Sequence, residues 1–430
     1  MIIKKVIEKI EGEATLDLEF NKGVISSAKI IFDNFRGVEN ILIGKEPRDA
    51  LVITPRVCGI CNHAHLQATV KALEDGYRRA GVDIELTNKA KILRNFTLSC
   101  EIIQNHIKWF YLNLIPSLNN LTNTPNIKSD TLKALFVTQN ITKASALFSG
   151  QWPHSSYCVV GGVTCDPTFI EILQAKTLLD EVGRFIQNVL VGIDIEEFLD
   201  INSAKDFAKI EGDLGKFLRD LSANSLSNIG KSKDRFITFG ESCGFISGKS
   251  IATKYSKVDT IYLREHIQEE SISKAVTYRC KFYESGPLAR AVIKKDKAIM
   301  SLRKRYKDSI TTRVYARVKE IASLLKYAKT LLDTIDPSEK SCVVDAKTLP
   351  SEFKGIGIVE AARGSLIHKI EVNNSKIKNY DIITPTQWNL SNSLDSELGV
   401  AVEAMIGSKS EAEAELILRS FDVCSVCTVQ

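Results

Sequence analysis

Four cysteines stand in two pairs at opposite ends of the chain, and each pair has two residues between its members. Cys58 and Cys61 form the first pair, and Cys424 and Cys427 form the second, close to the carboxyl end. Two intervening residues form a turn, which lets two thiolates converge on one soft metal ion without strain. One such pair alone is equally compatible with a redox disulfide or with half of a structural zinc site.

The separation of the two pairs favours a metal centre around which the whole fold closes. Residues 62–423 lie between them, whereas structural zinc sites usually close over much shorter loops. Four thiolates suit nickel or iron, and the sequence offers no second cluster of the zinc type. A structural zinc protein is the plain alternative, in which elemental analysis would find zinc and no nickel.

The elements that position these cysteines are predicted to change from β to α along the chain. Alternating apolar residues predict β-structure over 14–20 and 24–32. After the first cysteine pair, Leu66, Val70 and Leu73 share one face of a helix. Further helices are predicted at about 88–114, 130–149, 167–190, 202–222, 300–334 and 396–406. Short β-segments are predicted at 236–245 and 356–383.

These elements predict one α+β domain over 1–430 that is predominantly helical, with small flanking β-sheets near both termini. Its predicted parts are a β-rich start (1–50), a mainly helical body (51–350) and a β/α part that closes the metal site (351–430).

Composition narrows the class of protein. A hydrophobic fraction of 44% with 25% charged residues is typical of a soluble globular chain. The net charge of +5 without a dense block of Lys and Arg does not favour nucleic acid. No apolar run approaches the ~18 residues of a transmembrane helix, and the first residues do not resemble a signal peptide. We therefore expect a cytoplasmic protein whose cysteines are reduced or metal-bound.

The cysteine pairs and several other segments together resemble the large subunit of nickel–iron hydrogenases. The matching segments, in the family's order, are Ile10-Glu11-Gly12, Phe35-Arg36-Gly37-Val38-Glu39, Arg56-x-Cys58-Gly59-x-Cys61-x-x-x-His65, Pro153-His154 with Gly161-Gly162-Val163, Gly286-Pro287-Leu288-Ala289-Arg290, Glu360-Ala361-Ala362-Arg363-Gly364-x-Leu366-x-His368, Pro385-Thr386-x-Trp388-Asn389, and Arg419-Ser420-Phe421-Asp422-x-Cys424-x-x-Cys427. They extend from residue 10 almost to the end of the chain.

The resemblance implies a nickel–iron centre on the four cysteines. Cys58 and Cys424 would bind nickel terminally, while Cys61 and Cys427 would bridge nickel to iron. The iron would carry one carbon monoxide and two cyanides. At such a centre, H2 is split heterolytically, and the proton leaves on a nearby base.

The resemblance also implies roles in catalysis for two further residues. Glu11 matches the glutamate that takes the proton from the second terminal cysteine, here Cys424. A buried carboxylate suits this role if burial raises its pKa towards the working pH. Arg363 would lie over the open side of nickel, where its permanent charge can polarise H2 or act as a constrained base.

Three residues are expected to surround the metal ligands without binding metal. His65 would hydrogen-bond a bridging sulfur, and outer contacts of this kind tune a metal centre. Thr386 would hydrogen-bond a cyanide. Ala362 stands where the family usually has proline, next to the expected diatomic ligands.

A separate magnesium-like site is implied near the chain end. Glu39 would supply a carboxylate and Ile382 a backbone carbonyl, and hard oxygen ligands are what Mg²⁺ requires. The third side chain of the site is usually histidine but is Gln430 here, so we expect the ion to be replaced or held differently.

The departures from the family pattern favour its cytosolic uptake or hydrogen-sensing group. They include Gln430, Glu13 where respiratory members have histidine, and a bulky Ile60 between the first two cysteines. The chain has no further cysteine clusters to carry electrons, so an iron–sulfur small subunit is a required partner, and higher oligomers of this heterodimer are possible. The alternative function is a slow hydrogen sensor that reports to a kinase. A relative of the quinone-site subunit of complex I is disfavoured because all four cysteines are present.

Overall fold

The computed structural model describes residues 1–10, 12–127, 131–240, 250–251, 258–269, 271–343, 350–395 and 397–424. The α-helices within these residues are α1 (Val38–Leu42), α2 (Ala50–Ile53), α3 (Asn62–Arg79), α4 (Asn88–Lys108), α5 (Ile115–Asn119), α6 (Thr131–Ser149), α7 (Phe169–Phe185), α8 (Ile195–Leu199), α9 (Asp213–Ala223), α10 (Pro287–Ile293), α11 (Lys297–Tyr306), α12 (Ile310–Thr334), α13 (Pro385–Asn389), α14 (Val400–Met405) and α15 (Glu411–Ser420). Two π-helical segments extend α4 and α7, over Trp109–Leu114 and Ile186–Val191. In the part of the chain that the structure describes, none of the helices is long and apolar enough to cross a membrane.

The strands form small antiparallel sheets. They are β1 (Ile2–Ile10), β2 (Gly12–Asn21), β3 (Val24–Ile31), β4 (Cys158–Val159), β5 (Gly162–Val163), β6 (Ile237–Thr238), β7 (Ser250–Ile251), β8 (Leu263–Gln268), β9 (Ser271–Tyr278), β10 (Phe353–Ala361), β11 (Gly364–Asn373) and β12 (Lys376–Ile383). Strands β1–β2–β3 and β10–β11–β12 form three-stranded sheets near the two termini, and the other strands pair in twos. The fold is thus the predicted combination of a helical body with small sheets, while the predicted division into three parts stays a prediction.

Two of the predicted helices are each interrupted, which corrects the prediction. The helix predicted at 300–334 is divided into α11 and α12, because Lys307 takes a left-handed φ of 57° and ends α11. Next to it, Asp308 accepts the backbone N–H groups of Ser232 and Asp234 at 3.0 and 3.1 Å. The helix predicted at 202–222 begins only after Gly212, whose N–H donates to the Val191 carbonyl at 2.9 Å. The hairpin of β8 and β9 was not predicted.

Helix α3, which begins directly after Cys61, is fixed against the carboxyl-terminal sheet. Strand β10 lies on α3 so closely that a Cβ atom at Gly355 or Gly357 would come within 2.0 or 1.8 Å of a helix carbonyl oxygen. Only glycine permits such an approach of backbone to backbone. The two glycines therefore bring the far end of the sequence onto the helix that carries the first cysteine pair.

The hairpin between β10 and β11 carries the predicted arginine. Ala361 pairs with Gly364 across the ladder, so Ala362 and Arg363 form the two-residue turn between these strands. Gly364 has a φ of 134°, which a residue with a Cβ rarely adopts. Both turn residues are buried, so the tip of this hairpin points into the protein and not into solvent.

Candidate metal centre

Three of the four predicted ligands converge in the interior. The sulfur atoms of Cys58, Cys61 and Cys424 all lie within 4.8 Å of one another, and those of Cys58 and Cys424 are 3.6 Å apart. A disulfide would need about 2.0 Å between sulfur atoms, so these are separate thiols. All three are buried. Cys427 lies outside the described residues, as do Glu11 and Gln430.

Two of the three thiols lie at or near the end of a helix. Cys61 occupies the N-cap position of α3, and its side chain makes no capping hydrogen bond. The partial positive charge at the start of a helix favours a thiolate there. Cys424 follows α15 by four residues. Three soft sulfur donors gathered in an apolar interior fit nickel or iron as well as zinc.

A buried aspartate connects the arginine to the cysteines. The guanidinium of Arg363 donates from Nε to the backbone oxygen of Asp422 at 2.9 Å and from Nη2 to its carboxylate at 3.1 Å. Arg317 donates to the other carboxylate oxygen at 2.6 Å. Burial opposes the charge of Arg363, but Asp422 and Cys424 raise its pKa well above the usual value. Arg363 is therefore a fixed, permanently charged group beside the thiols.

His65 lies on the second turn of α3 and is held by a second histidine. Its Nδ1 is 3.0 Å from Nε2 of His368, whose Nδ1 contacts the hydroxyls of Tyr380 and Thr69 at 2.8 and 3.1 Å. Burial lowers the pKa of His65 to about 4 and the pKa of His368 well below its usual value, so both rings are neutral and one donates to the other. This contact fixes the orientation of the His65 ring, while its hydrogen bond to a bridging sulfur stays a prediction.

Two buried polar side chains near these residues have no hydrogen-bond partner among the described atoms. They are the Thr386 hydroxyl at the start of α13 and the Asn62 amide, which directly follows Cys61. Helix α13 contacts the arginine turn, since the Asn389 amide donates to the Arg363 carbonyl at 3.4 Å. Buried polar groups are normally satisfied, so the two orphaned groups fit a bound group that accepts a hydrogen bond, such as cyanide.

The structure brings Glu39 and Ile382 together, though not through the predicted carbonyl. One carboxylate oxygen of Glu39 accepts the Ile382 N–H at 2.7 Å, and the other lies 3.5 Å from the ammonium of Lys274. Lys274 also contacts Glu265 at 3.3 Å. Burial raises the pKa of Glu39. The carboxylate thus already has protein partners, and the magnesium site stays a prediction.

Asp422, Arg317 and His368 have no role predicted from the sequence. Asp422 and His368 stand in the motifs that carry the resemblance, and their place in these motifs could have indicated a role at the site. Arg317 could have been noticed as a charge within the apolar stripe of α12, beside Val314 and Val318. Only the structure shows that Asp422 joins the two arginines.

Comparisons with known proteins agree with this geometry. A profile of the family described as nickel-dependent hydrogenase matches residues 36–115, 117–275 and 249–430. The periplasmic NiFeSe hydrogenase large subunit of Desulfomicrobium baculatum is 25% identical over 98% of this chain and 93% of that protein. The coenzyme F420 hydrogenase subunit alpha of Methanothermobacter thermautotrophicus is 24% identical over 97% and 91%. The Ni-Fe-Se hydrogenase structure from D. vulgaris Hildenborough has the same fold, with a TM-score of 0.84, 23% identity and complete coverage of both chains.

The thiol cluster and the buried arginine lie where the resemblance places the metal centre, and the family profile assigns the chain to the hydrogenase class. The chain belongs to the nickel-dependent hydrogenase family. The predicted identity as a nickel–iron hydrogenase large subunit is confirmed. Its placement in the cytosolic uptake or sensing group stays a prediction.

Proposed function

We propose that this chain is the catalytic subunit of a cytoplasmic uptake hydrogenase, which oxidises H2 and passes electrons to an iron–sulfur small subunit. The observation that carries the proposal is the convergence of Cys58, Cys61 and Cys424 beside the anchored guanidinium of Arg363. A bound nickel–iron pair supplies the two-electron chemistry of H2 at this position.

The chain's own residues manage charge and protons around that chemistry. Arg363 is held by Asp422 from two directions, so its charge is fixed where charge develops as H2 is split, and a preorganised charge needs no reorganisation during the reaction. The sulfur of Cys424 is the proposed first proton acceptor, and Glu11 is the proposed next one. Apolar surroundings exclude water and strengthen these interactions.

The same pocket supports the proposed carbon monoxide and cyanide ligands of iron. Among the described residues, the buried Thr386 hydroxyl has no hydrogen-bond partner, and a cyanide nitrogen would accept a hydrogen bond from it. Ala362 is buried in the turn before Arg363, where a small side chain leaves room for diatomic ligands. Cys61 and Cys427 are the proposed bridging ligands, and His65 supports one bridging sulfur.

The segment before the first cysteine pair is the proposed contact for the small subunit. Four large apolar side chains on it are exposed: Phe35, Ile41, Ile43 and Val52. Arg36, next to Phe35, donates to the carbonyl of Val57, the neighbour of Cys58. A partner bound here would lie close to the metal, and exposed apolar patches commonly mark protein interfaces.

A charge placed on this segment should weaken subunit binding. We expect Val52→Glu to raise the Kd for the small subunit about tenfold or more, which corresponds to ~1.4 kcal/mol, because the carboxylate would lose water on binding. Titration of labelled small subunit measures the Kd. Leu132→Glu, at an exposed site on α6, is the matched control and should bind normally; equal binding by both variants would place the interface elsewhere.

Turnover decides between the enzyme and the sensor. We expect the purified heterodimer to reduce a redox dye rapidly under H2, and fractionation of the native cells to recover it with the cytoplasm. Slow turnover, together with H2-dependent binding to a kinase, would instead support the hydrogen-sensing function.

A further inference from the structure

The first turn of α3 carries a metal ligand where most helices carry a capping residue. The first N–H groups of a helix have no partner within it, and the N-cap side chain usually accepts one of them. Cys61 holds this position in α3 and makes no such bond. Because its sulfur faces the metal site, another group must accept the hydrogen bonds that these N–H groups donate.

Glu101, on the neighbouring helix α4, accepts them. Its two carboxylate oxygens lie 2.6 Å from the backbone nitrogen of His63 and 3.0 Å from that of Ala64. Glu101 is buried, with 1% of its surface exposed. One turn earlier on α4, the Thr97 carbonyl lies 3.5 Å from Nδ1 of the His63 ring. Helix α4 thus holds the turn that follows Cys61 by its backbone and by its first histidine.

Glu101 makes these contacts in an environment that disfavours its charged form. Two N–H donors favour the carboxylate form, but burial dominates and raises the pKa of Glu101 to about 8, while nearby Cys58 raises it and Arg363 lowers it. Glu101 therefore acts on the helix end that carries the Cys61 sulfur, and its two contacts constrain the direction of α3 there.

We propose that Glu101 is a positioning residue of the metal centre, which binds the first turn of α3 in place of a cap and so fixes the direction in which the Cys61 sulfur meets the metal. The inference rests on the proposed nickel–iron site. It adds to that site a residue that none of its motifs contains.

The chain offers a matched control at the start of α4. There Glu339, which is half-buried, accepts the N–H groups of Asn88 and Lys89 at 2.9 and 2.7 Å, which is a similar arrangement. However, α4 has its own cap, since Thr87 accepts the Ala90 N–H at 3.0 Å, and it begins with no metal ligand. Substitution of Glu339 thus measures the cost of losing such a bond away from the site.

The test compares Glu101→Gln and Glu101→Leu with the same two changes at Glu339, all in the complete heterodimer. Nickel content, the infrared bands of metal-bound carbon monoxide and cyanide, and the Tm of the metal-free chain are recorded. We expect Glu101→Leu to bind nickel about 10-fold to 100-fold more weakly, which is the usual effect of removing an outer contact of a metal site. Glu101→Gln, which keeps one acceptor oxygen, should retain nickel but show shifted bands.

Both Glu339 variants should keep the nickel content and the infrared bands of the wild type, whatever their Tm. Wild-type bands and nickel in both Glu101 variants would overturn the inference and leave Glu101 as an ordinary structural contact. If Glu101→Leu does not fold, the bands of Glu101→Gln still decide. A wild-type complex with neither nickel nor such bands would overturn the proposed function itself, which is a different result.

Discussion

The thiol cluster of Cys58, Cys61 and Cys424 and the carboxylate of Glu39 are both predicted metal sites, but they relate differently to the surrounding protein. The three sulfurs converge within 4.8 Å in a buried interior, an arrangement that a metal ion explains. Glu39 instead shares one oxygen with the Ile382 N–H and the other with Lys274. A carboxylate with protein partners is neutralised without an ion, whereas three converging sulfurs form a ligand set for a soft metal.

The largest expected effect is the contrast between a ligand change at each site. Cys61→Ser should abolish nickel retention and H2 oxidation, because a hydroxyl is a poor ligand for a soft metal. Glu39→Gln should keep nickel, since the amide can still accept the Ile382 N–H. Elemental analysis of both purified variants measures this. The exposed Cys280 provides the control, and Cys280→Ser should retain full activity; nickel in Cys61→Ser would break the comparison.

The next effect concerns the charge beside the thiols. Arg363→Lys keeps a positive charge but loses the paired contacts with Asp422. We expect the turnover number to fall about 100-fold, as for loss of one preorganised donor, with nickel content unchanged. Steady-state dye reduction measures it. Arg78→Lys, on the half-exposed end of α3, should behave as wild type; unchanged turnover in Arg363→Lys would remove the arginine from the chemistry.

A smaller effect on the Tm should show whether a bound ion or Lys274 neutralises the carboxylate of Glu39. A chelator should remove any magnesium while nickel stays, and the Tm should change little because Lys274 still faces the carboxylate. In Lys274→Met, the same treatment should lower the Tm further, since Glu39 would then be buried without a cation. Scanning calorimetry before and after chelation compares the two proteins. An equal response in both would show that Lys274 does not neutralise Glu39.

The smallest effect is on the pH dependence of stability. Burial raises the pKa of Glu101 from 4.5 to about 8, so the folded chain holds this proton more tightly than the unfolded chain does. Its contribution to stability is therefore full below pH 4.5 and is lost as the pH rises through about 8. Glu101→Gln does not titrate, so the Tm of wild type relative to this variant should fall over that range. A constant difference in Tm between the metal-free proteins would contradict the raised pKa.

Much of the candidate site could be predicted because its residues belong to short motifs. Arg363 lies in a two-residue turn whose glycine is visible in the sequence, and Cys61 directly precedes a strongly periodic helix. Local sequence is enough to define such positions. The long helices α4 and α6 were also predicted within a few residues, since apolar periodicity determines them.

The remaining features depend on contacts between distant segments. The break between α11 and α12 follows from the bonds of Asp308 to a loop that precedes it by more than seventy residues. Arg317 and Glu101 are charges inside apolar helices, and their partners lie on other elements. Helical periodicity alone treats such residues as surface positions, which is why their roles became visible only in the fold.

Infrared spectroscopy combined with elemental analysis of the purified heterodimer tests the central claim most directly. We predict nickel together with iron, bands from metal-bound carbon monoxide and cyanide, and the loss of the nickel and of these bands in Cys61→Ser. Zinc in place of nickel, with no bands from diatomic ligands, would contradict it.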